Sequence, residues 1–411
     1  MRLGAKLGFM RIDLGWWLAL CVGQALCGCS SDAAPSAGTA GGAGTAGSAG
    51  SAGTAGSAGA TGLGGAAGGG TGGSDAASAG AMSAMGPVGP RFIGRFDQSN
   101  AQAPVFAWSG TAISARFMGS SVGVTLTDSG SNAFEVVLDG KHTVLATQAG
   151  KKTYSLGSGL AEGAHDLLLY RRSEAFFGET TFGGFDLDAS AYLPVAPLPK
   201  RRLEVIGDSI SAGYGNEGVF PCTFGSKTEN HYLTYGALAA RELQAELYTE
   251  AWSGIGMLRN NAGDTTGTMP ERYGRALPER AASTWDFSQF VPDAVVINLG
   301  TNDFAQGDPT IAFQAKYTQF VADLRGHYPA ARLFLAVGSM LGGLQYQQAS
   351  VYLKGVIAAR ANAGDPNLAL LELGTQDAQN DQLGCDYHPS LKTHQKMAAK
   401  LVAALHADLG W

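Results

Sequence analysis

The chain is predicted to fold as two domains, an N-terminal β-sandwich or jelly roll followed by a three-layer α/β sandwich with a mainly parallel sheet. Three observations carry that prediction. From residue 91 to about 195, short runs rich in β-branched and aromatic residues are punctuated at near-regular spacing by Gly, Ser, Asn and Asp, the pattern of an all-β domain. From Arg201 onward, apolar strand-like runs alternate with amphipathic helical stretches, the pattern of a parallel sheet with crossover helices. The roughly 320 residues that carry these patterns exceed what one hydrophobic core usually organises.

Residues 1–29 read as an export signal. Arg2, Lys6 and Arg11 form a basic start, and Leu14 to Leu26 is an apolar run of 13 residues, short for a bilayer span. Leu26-Cys27-Gly28-Cys29 resembles a bacterial lipobox. Cleavage there would make Cys29 the lipidated first residue of an exported, membrane-anchored chain. An ordinary signal peptide cut nearby, giving a secreted protein, is the alternative. Residues 30–88 form a linker, almost wholly Ala, Gly, Ser and Thr from residue 33 on. That composition buries too little apolar surface to offset chain ordering, so the segment is expected to stay disordered. A Gly/Ser-type coil of the 56 residues from 33 to 88 would span on the order of 40 Å, a tether between anchor and folded domains.

The first folded domain is expected over residues 89–197. "FAWSG", "AISARFMG", "SVGVTLTDSG", "AFEVVLDGK", "KTYSLGSG", "HDLLLYRRS" and "TFGGFDLDA" are its strand-like runs. "YLPVAPLPKR", with three prolines, reads as a stiff connector. The second domain, residues 198–411, carries five apolar strands, "RLEVIGDS", "AELYTEAWSG", "DAVVINLGTND", "RLFLAVGSM" and "LALLELG". Between them, "HYLTYGALAARELQ" places Tyr235, Leu238, Ala239 and Leu243 on one helix face. Asp308-Pro309 is a good cap and first-turn pair for a helix with Phe313, Tyr317, Phe320 and Leu324 on one stripe. A last helix follows Pro389.

The net charge of −6, with no basic cluster, argues against nucleic acid as a partner. Three of the five cysteines lie in the signal region, leaving Cys222 and Cys385; in an exported protein such a pair suggests a disulfide. No His, Cys or Asp cluster has zinc-ligand spacing, so no metal and no cofactor are implied.

Three short stretches carry chemistry. Gly207-Asp208-Ser209 and Gly300-Thr301-Asn302-Asp303 sit where apolar strands end, and Asp386-Tyr387-His388 precedes the last helix. The carboxyl edge of a parallel sheet is where ligands bind. A serine, an asparagine and a histidine gathered there supply a nucleophile, an oxyanion donor and a general base for acyl transfer. Ser209 at a strand-to-helix turn also suits a helix cap, and Asp208 suits the turn itself through backbone hydrogen bonds. Gly254, ending the second strand, is a candidate to aim its amide at the same oxyanion, with Gly256 as competitor and a plain turn as the alternative. Asn302 can donate through its side-chain amide or merely shape an Asx-type turn, and Asp303 is expected to stabilise that loop. His231, His327, His394 and His406 fall in or beside predicted helices, where surface roles are expected. Trp252, beside Gly254, and Tyr387, beside His388, offer faces for a sugar ring or for core packing.

"GDSISAGYG", "SGIG", "GTND" and "DYHPS" resemble the four blocks of SGNH (GDSL-type) hydrolases, in order, over residues 201–411. "FAWSGTAI", "VVLDGK" and "YRRSEA" resemble the jelly-roll module that precedes the hydrolase in carbohydrate esterase family 2, and "GCDYHPSLKTHQKMA" is similar to that family's final block. The resemblance implies a flavodoxin-like sheet, Ser209 as nucleophile and His388 as base. It also implies an oxyanion hole of the Ser209 amide, the Gly254 amide and the Asn302 side chain. Most SGNH enzymes place the catalytic aspartate three residues before the histidine. Here Cys385 stands there and Asp386 is two before. Asp386 is therefore a candidate third member of the catalytic set, with a backbone carbonyl as the alternative orienter of His388.

The expected function is that of a serine esterase removing O-acetyl groups from polysaccharide, of the plant cell-wall mannan or xylan type, acting as a monomer. Its activity should fall below roughly pH 6, as an ordinary histidine protonates. A non-catalytic sugar-binding surface protein and a lipid esterase or thioesterase on the same scaffold are the competing readings.

Overall fold

The computed structural model describes residues 86–189 and 191–411. The predicted signal segment, Cys29 and most of the predicted linker lie outside the described residues. Among the described residues the first half holds β1 (Arg91–Ile93), β2 (Phe96–Asp97), β3 (Val105–Phe106), β4 (Ala112–Asp128), β5 (Ala133–Leu138), β6 (Lys141–Ala146), β7 (Gly150–Arg171), β8 (Thr180–Leu187) and β9 (Ala191–Leu193). They pair antiparallel in the order β2-β3-β8-β4-β7-β5-β6, with β1 and β9 also on β4.

Two pairs of predicted strands turn out to be single long strands. "AISARFMG" and "SVGVTLTDSG" join as β4; "KTYSLGSG" and "HDLLLYRRS" join as β7. The glycines read as breaks instead sit at irregularities of a continuous ladder, with register shifts between Gly119 and Ser121 and between Val122 and Gly123. The buried set along β4 is Ile113, Ala115 and Phe117, then Val122, Val124 and Leu126. Odd positions give way to even ones across the shift. The extra residues lie on β7, where Gly163 to Ser158 run against Gly119 to Ser121 of β4 and Gly157 to Ser155 against Val122 to Gly123, irregularities of the β-bulge kind.

The second half holds β10 (Arg201–Gly207), α1 (Ser209–Ala212), α2 (Tyr235–Glu242), β11 (Ala245–Ala251), α3 (Met269–Arg272), β12 (Ala294–Asn298), α4 (Thr310–His327), β13 (Arg332–Val337), α5 (Gly343–Asn362), β14 (Leu368–Glu372) and α6 (Leu391–Leu409). The sheet order is β11-β10-β12-β13-β14, and every pairing is parallel. Along β12, Val295 and Ile297 enter one core cluster with Phe313, Tyr317 and Phe320 of α4. Ala294 and Val296 enter the other, with residues of α2 and α6. Burial on both faces is why β12 reads as an unbroken apolar run.

The caps follow the sequence. Asp308 Oδ1 accepts from Thr310 N at 2.8 Å at the start of α4, and the Ser390 side chain caps α6 through Thr393 N. The predicted helix from His231 is shorter than expected. A 3₁₀ turn, His231–Leu233, is broken at Thr234, whose hydroxyl caps α2.

Both halves belong to one compact unit with a polar, buried seam. Arg95 is fully buried between Glu204 at 3.0 Å and Glu250 at 2.8 Å. The Tyr170 hydroxyl meets His231 Nδ1 at 2.6 Å. His231 and His394 are buried, against the surface roles expected of them; Tyr170 occupies the first, and the second accepts Tyr235 N at 3.2 Å. The order of strand addition reverses at β10, with β11 added on one side and β12, β13 and β14 on the other, so the crevice that binds ligands is expected beyond the carboxyl ends of β10 and β12.

Candidate active site

Ser209 opens α1 immediately after β10. Asp208 is its N-cap, accepting Ile210 N at 3.0 Å, and Gly213 closes the single turn in the left-handed region. The turn thus presents Ser209 at the sheet edge, and Asp208 shapes it as its sequence context suggested. Burial pushes the Asp208 carboxyl up to about 7, with Asp303 adding to the rise.

Ser209 Oγ lies 2.9 Å from His388 Nε2. The two residues come from opposite ends of the domain, and three links bring them together. Cys222 and Cys385 form a disulfide with a Cα separation of 4.7 Å. Cys385 N donates to Gly215 O at 3.0 Å, and Phe220 N to Leu383 O at 2.9 Å. Gly215 has φ +58°, and a Cβ there would stand 2.7 Å from Cys385 Cβ, so only glycine lets the histidine loop pack this closely.

Asp386 does not complete a triad with its carboxylate. His388 Nδ1 instead faces the Asp386 main-chain oxygen at 3.1 Å. The side chain turns to Tyr214, whose hydroxyl donates to Asp386 Oδ2 at 2.8 Å, and to Phe224 N at 3.2 Å. The cause is local. Asp386 and Tyr387 both take left-handed backbone, φ 49° and 65°, which turns the carbonyl of Asp386, two residues from the ring, back onto the imidazole. A carbonyl only accepts, so it holds the proton on Nδ1 and leaves Nε2 free as a base.

Tyr214, within the quoted "GDSISAGYG" stretch but not singled out there, stacks on His388 with centroids 3.9 Å apart, and Phe224 stacks on Tyr214 at 3.6 Å. The half-buried imidazole is pulled down to about 4 by burial, opposed by the Asp386 and Cys385 main chain. That is well below the ordinary value assumed in expecting a loss of activity at roughly pH 6.

Asn302, buried in the turn after β12, the neighbour of β10, donates Nδ2 to Ile255 O at 2.7 Å, leaving its second N–H. Asp303 accepts from Met257, Leu258 and Arg259 amides at 2.9, 2.7 and 2.9 Å, the loop-stabilising role expected of it. Gly256 is closed off: its amide donates to Asn260 Oδ1 at 3.1 Å, and a Cβ there would strike Arg259 O. Gly254 differs. It sits at φ +78° with no heavy atom within 4 Å of where a Cβ would stand. It borders a depression of about 190 Å³, together with Trp252, Ile255, Asn260 and Arg272.

Trp252 is half-buried, packs against two core clusters and carries Arg272 over its ring at 4.7 Å. Tyr387 is 53% exposed and packs on Phe220 at 4.3 Å. Among the described residues, no cluster of three or more His, Cys, Asp or Glu side chains is arranged to hold a metal ion.

Residues 92–197 match the family described as carbohydrate esterase 2 N-terminal, and residues 205–396 match the GDSL-like lipase/acylhydrolase family. A solved family two carbohydrate esterase from Clostridium thermocellum, in complex with cellohexaose, is similar at 40% identity and TM-score 0.76. The match covers 79% of this chain and all of that one. The chain belongs to carbohydrate esterase family 2. Among characterised relatives of this family of carboxylic ester hydrolases, the cellulase/esterase CelE of Acetivibrio thermocellus is 41% identical over 323 residues. That match takes in 77% of this chain but only 39% of the relative's own length. An acetylxylan esterase/glucomannan deacetylase of Cellvibrio japonicus is 26% identical, covering 78% of this chain and 88% of the relative.

Proposed function

We propose that the protein is a serine esterase that removes O-acetyl groups from plant cell-wall polysaccharide of the mannan or xylan type. The observation that carries this reading is the 2.9 Å contact between Ser209 Oγ and His388 Nε2, at the carboxyl edge of a parallel sheet. As Oγ bonds to the acetyl carbon, its proton passes to Nε2. The sugar oxygen then leaves with that proton, giving an acetyl-enzyme. Water attacks next, again surrendering a proton to Nε2, and acetate and free Ser209 result. The tetrahedral oxyanion is received by the Ser209 and Gly254 amides and the free N–H of Asn302.

The acceptor of Nδ1 is a neutral carbonyl, so the catalytic unit is a dyad of Ser209 and His388. The relatives named above, all three carrying esterase in their names and one of them in complex with cellohexaose, support a glycan substrate. Trp252 and Tyr387 are the rings proposed to meet it. Export and anchoring at Cys29 are proposed from the sequence alone. The test is acetate release from acetylated glucomannan and acetylated xylan, set against a long-chain ester; preference for the long chain would instead favour a lipid esterase.

A further inference from the structure

The turn Trp252–Ile255, which carries the Gly254 amide, is held by its own domain at three points. Trp252 N donates to Gly207 O at 3.2 Å, Asn261 N to Gly254 O at 2.9 Å, and Asn302 Nδ2 to Ile255 O at 2.7 Å. The remaining hold comes from the other domain. Glu174, just after β7, accepts Ser253 N on Oε2 at 2.7 Å and Ser253 Oγ on Oε1 at 2.5 Å. Both carboxyl oxygens are thus engaged by the residue that precedes Gly254.

Glu174 is fully buried, where a lone carboxylate is costly unless its oxygens are satisfied. Beside it lies Glu229, equally buried, whose Oε2 accepts Glu174 N at 2.9 Å. Glu229 Oε1 has no hydrogen-bond partner. Adjacent buried carboxyls cannot both ionise. Burial raises both, and the Glu174 charge raises Glu229 further. Glu229 is therefore the one that holds a proton, and Glu174 the anion that accepts from Ser253. The nearest cation, Arg171, reaches the Glu174 main-chain oxygen at 3.1 Å.

We propose that Glu174, supported by Glu229, is a positioning residue that aims the Gly254 amide, so that the β-domain is a working part of the esterase site. The Gly254 N–H belongs to the Ser253–Gly254 peptide, and Gly254 itself resists rotation little. Fixing Ser253 at both its amide and its hydroxyl fixes that peptide plane. The inference rests on the esterase reading above.

The test compares Glu174→Ala, Glu174→Gln and Ser253→Ala with wild type in kcat and KM on a chromogenic acetate, with thermal melting by circular dichroism as the folding control. Misplacing one oxyanion donor should lower kcat of Glu174→Ala about 10²-fold, with KM within about threefold. Glu174→Gln keeps a carbonyl acceptor for Ser253 N, and its NH2 can donate to Ser253 Oγ, so it should recover at least about tenfold of that loss. Ser253→Ala, losing one of the two bonds, should fall about tenfold. A folded Glu174→Ala with wild-type kcat, or a raised KM at unchanged kcat, overturns the proposal. If Glu174→Ala does not fold, wild-type kcat in both other variants overturns it. Wild type inactive on acetate would overturn the esterase reading itself, a separate outcome.

Discussion

His388 Nδ1 faces the main-chain oxygen of Asp386 at 3.1 Å, while the carboxylate of the same residue is bound to the Tyr214 hydroxyl. One residue thus orients the base through its backbone and braces the ring stacked on that base through its side chain.

Asp386→Asn should therefore cost less than about tenfold in kcat, against the ~10⁴ loss expected when an orienting aspartate is removed. Asparagine retains an acceptor for Tyr214 and tolerates left-handed backbone. Steady-state kinetics decide the matter: a loss near 10⁴ would mean that the carboxylate swings onto His388 during turnover.

The acid limb of kcat/KM should centre near pH 4. His388 must be neutral to accept the Ser209 proton, and burial lowers its pKa to about 4, so activity is retained as pH falls through 6 and is lost only as pH approaches the lowered value. A limb at about 6.5, the ordinary histidine value, would show that the ring is fully hydrated in solution.

Asn302→Ala should lower kcat roughly 10²–10³-fold with little change in KM, the usual cost of one oxyanion donor. Its other N–H holds Ile255 O, so the truncation also slackens the turn that carries Gly254. A rise in KM at constant kcat would place Asn302 on the ground-state substrate instead.

Removing the Cys222–Cys385 bond by a double serine substitution should destabilise the protein by roughly 2–5 kcal/mol, as expected for closure of a long loop; the two cysteines are 163 positions apart. Denaturant unfolding with and without reductant measures this. Two free thiols in unreduced protein would contradict the pairing.

Much of this was legible in the sequence because its signals are local. β12 is buried on both faces and so reads as an unbroken apolar run leading into Gly-Thr-Asn-Asp, while β10 leads into Gly-Asp-Ser. The two-residue spacing of Asp386 and His388 already marked the departure from a triad, but not which way the carboxylate turns. That depends on left-handed backbone at Asp386 and Tyr387 and on Tyr214, distant in sequence. Strand breaks at Gly119 and Gly159 were misread because glycine marks a bulge as readily as a turn. The burial of His231 and His394 and the grip of Glu174 on Ser253 arise from packing between distant segments, across the domain seam for His231 and Glu174 and between helices for His394, and leave no periodic trace.

The most direct measurement is acetate release from acetylated polysaccharide by wild type and Ser209→Ala side by side, without added metal. Wild type should release acetate, and Ser209→Ala should lose several orders of magnitude of kcat while melting at the same temperature. More than a few per cent of wild-type activity in folded Ser209→Ala would contradict acyl transfer through Ser209.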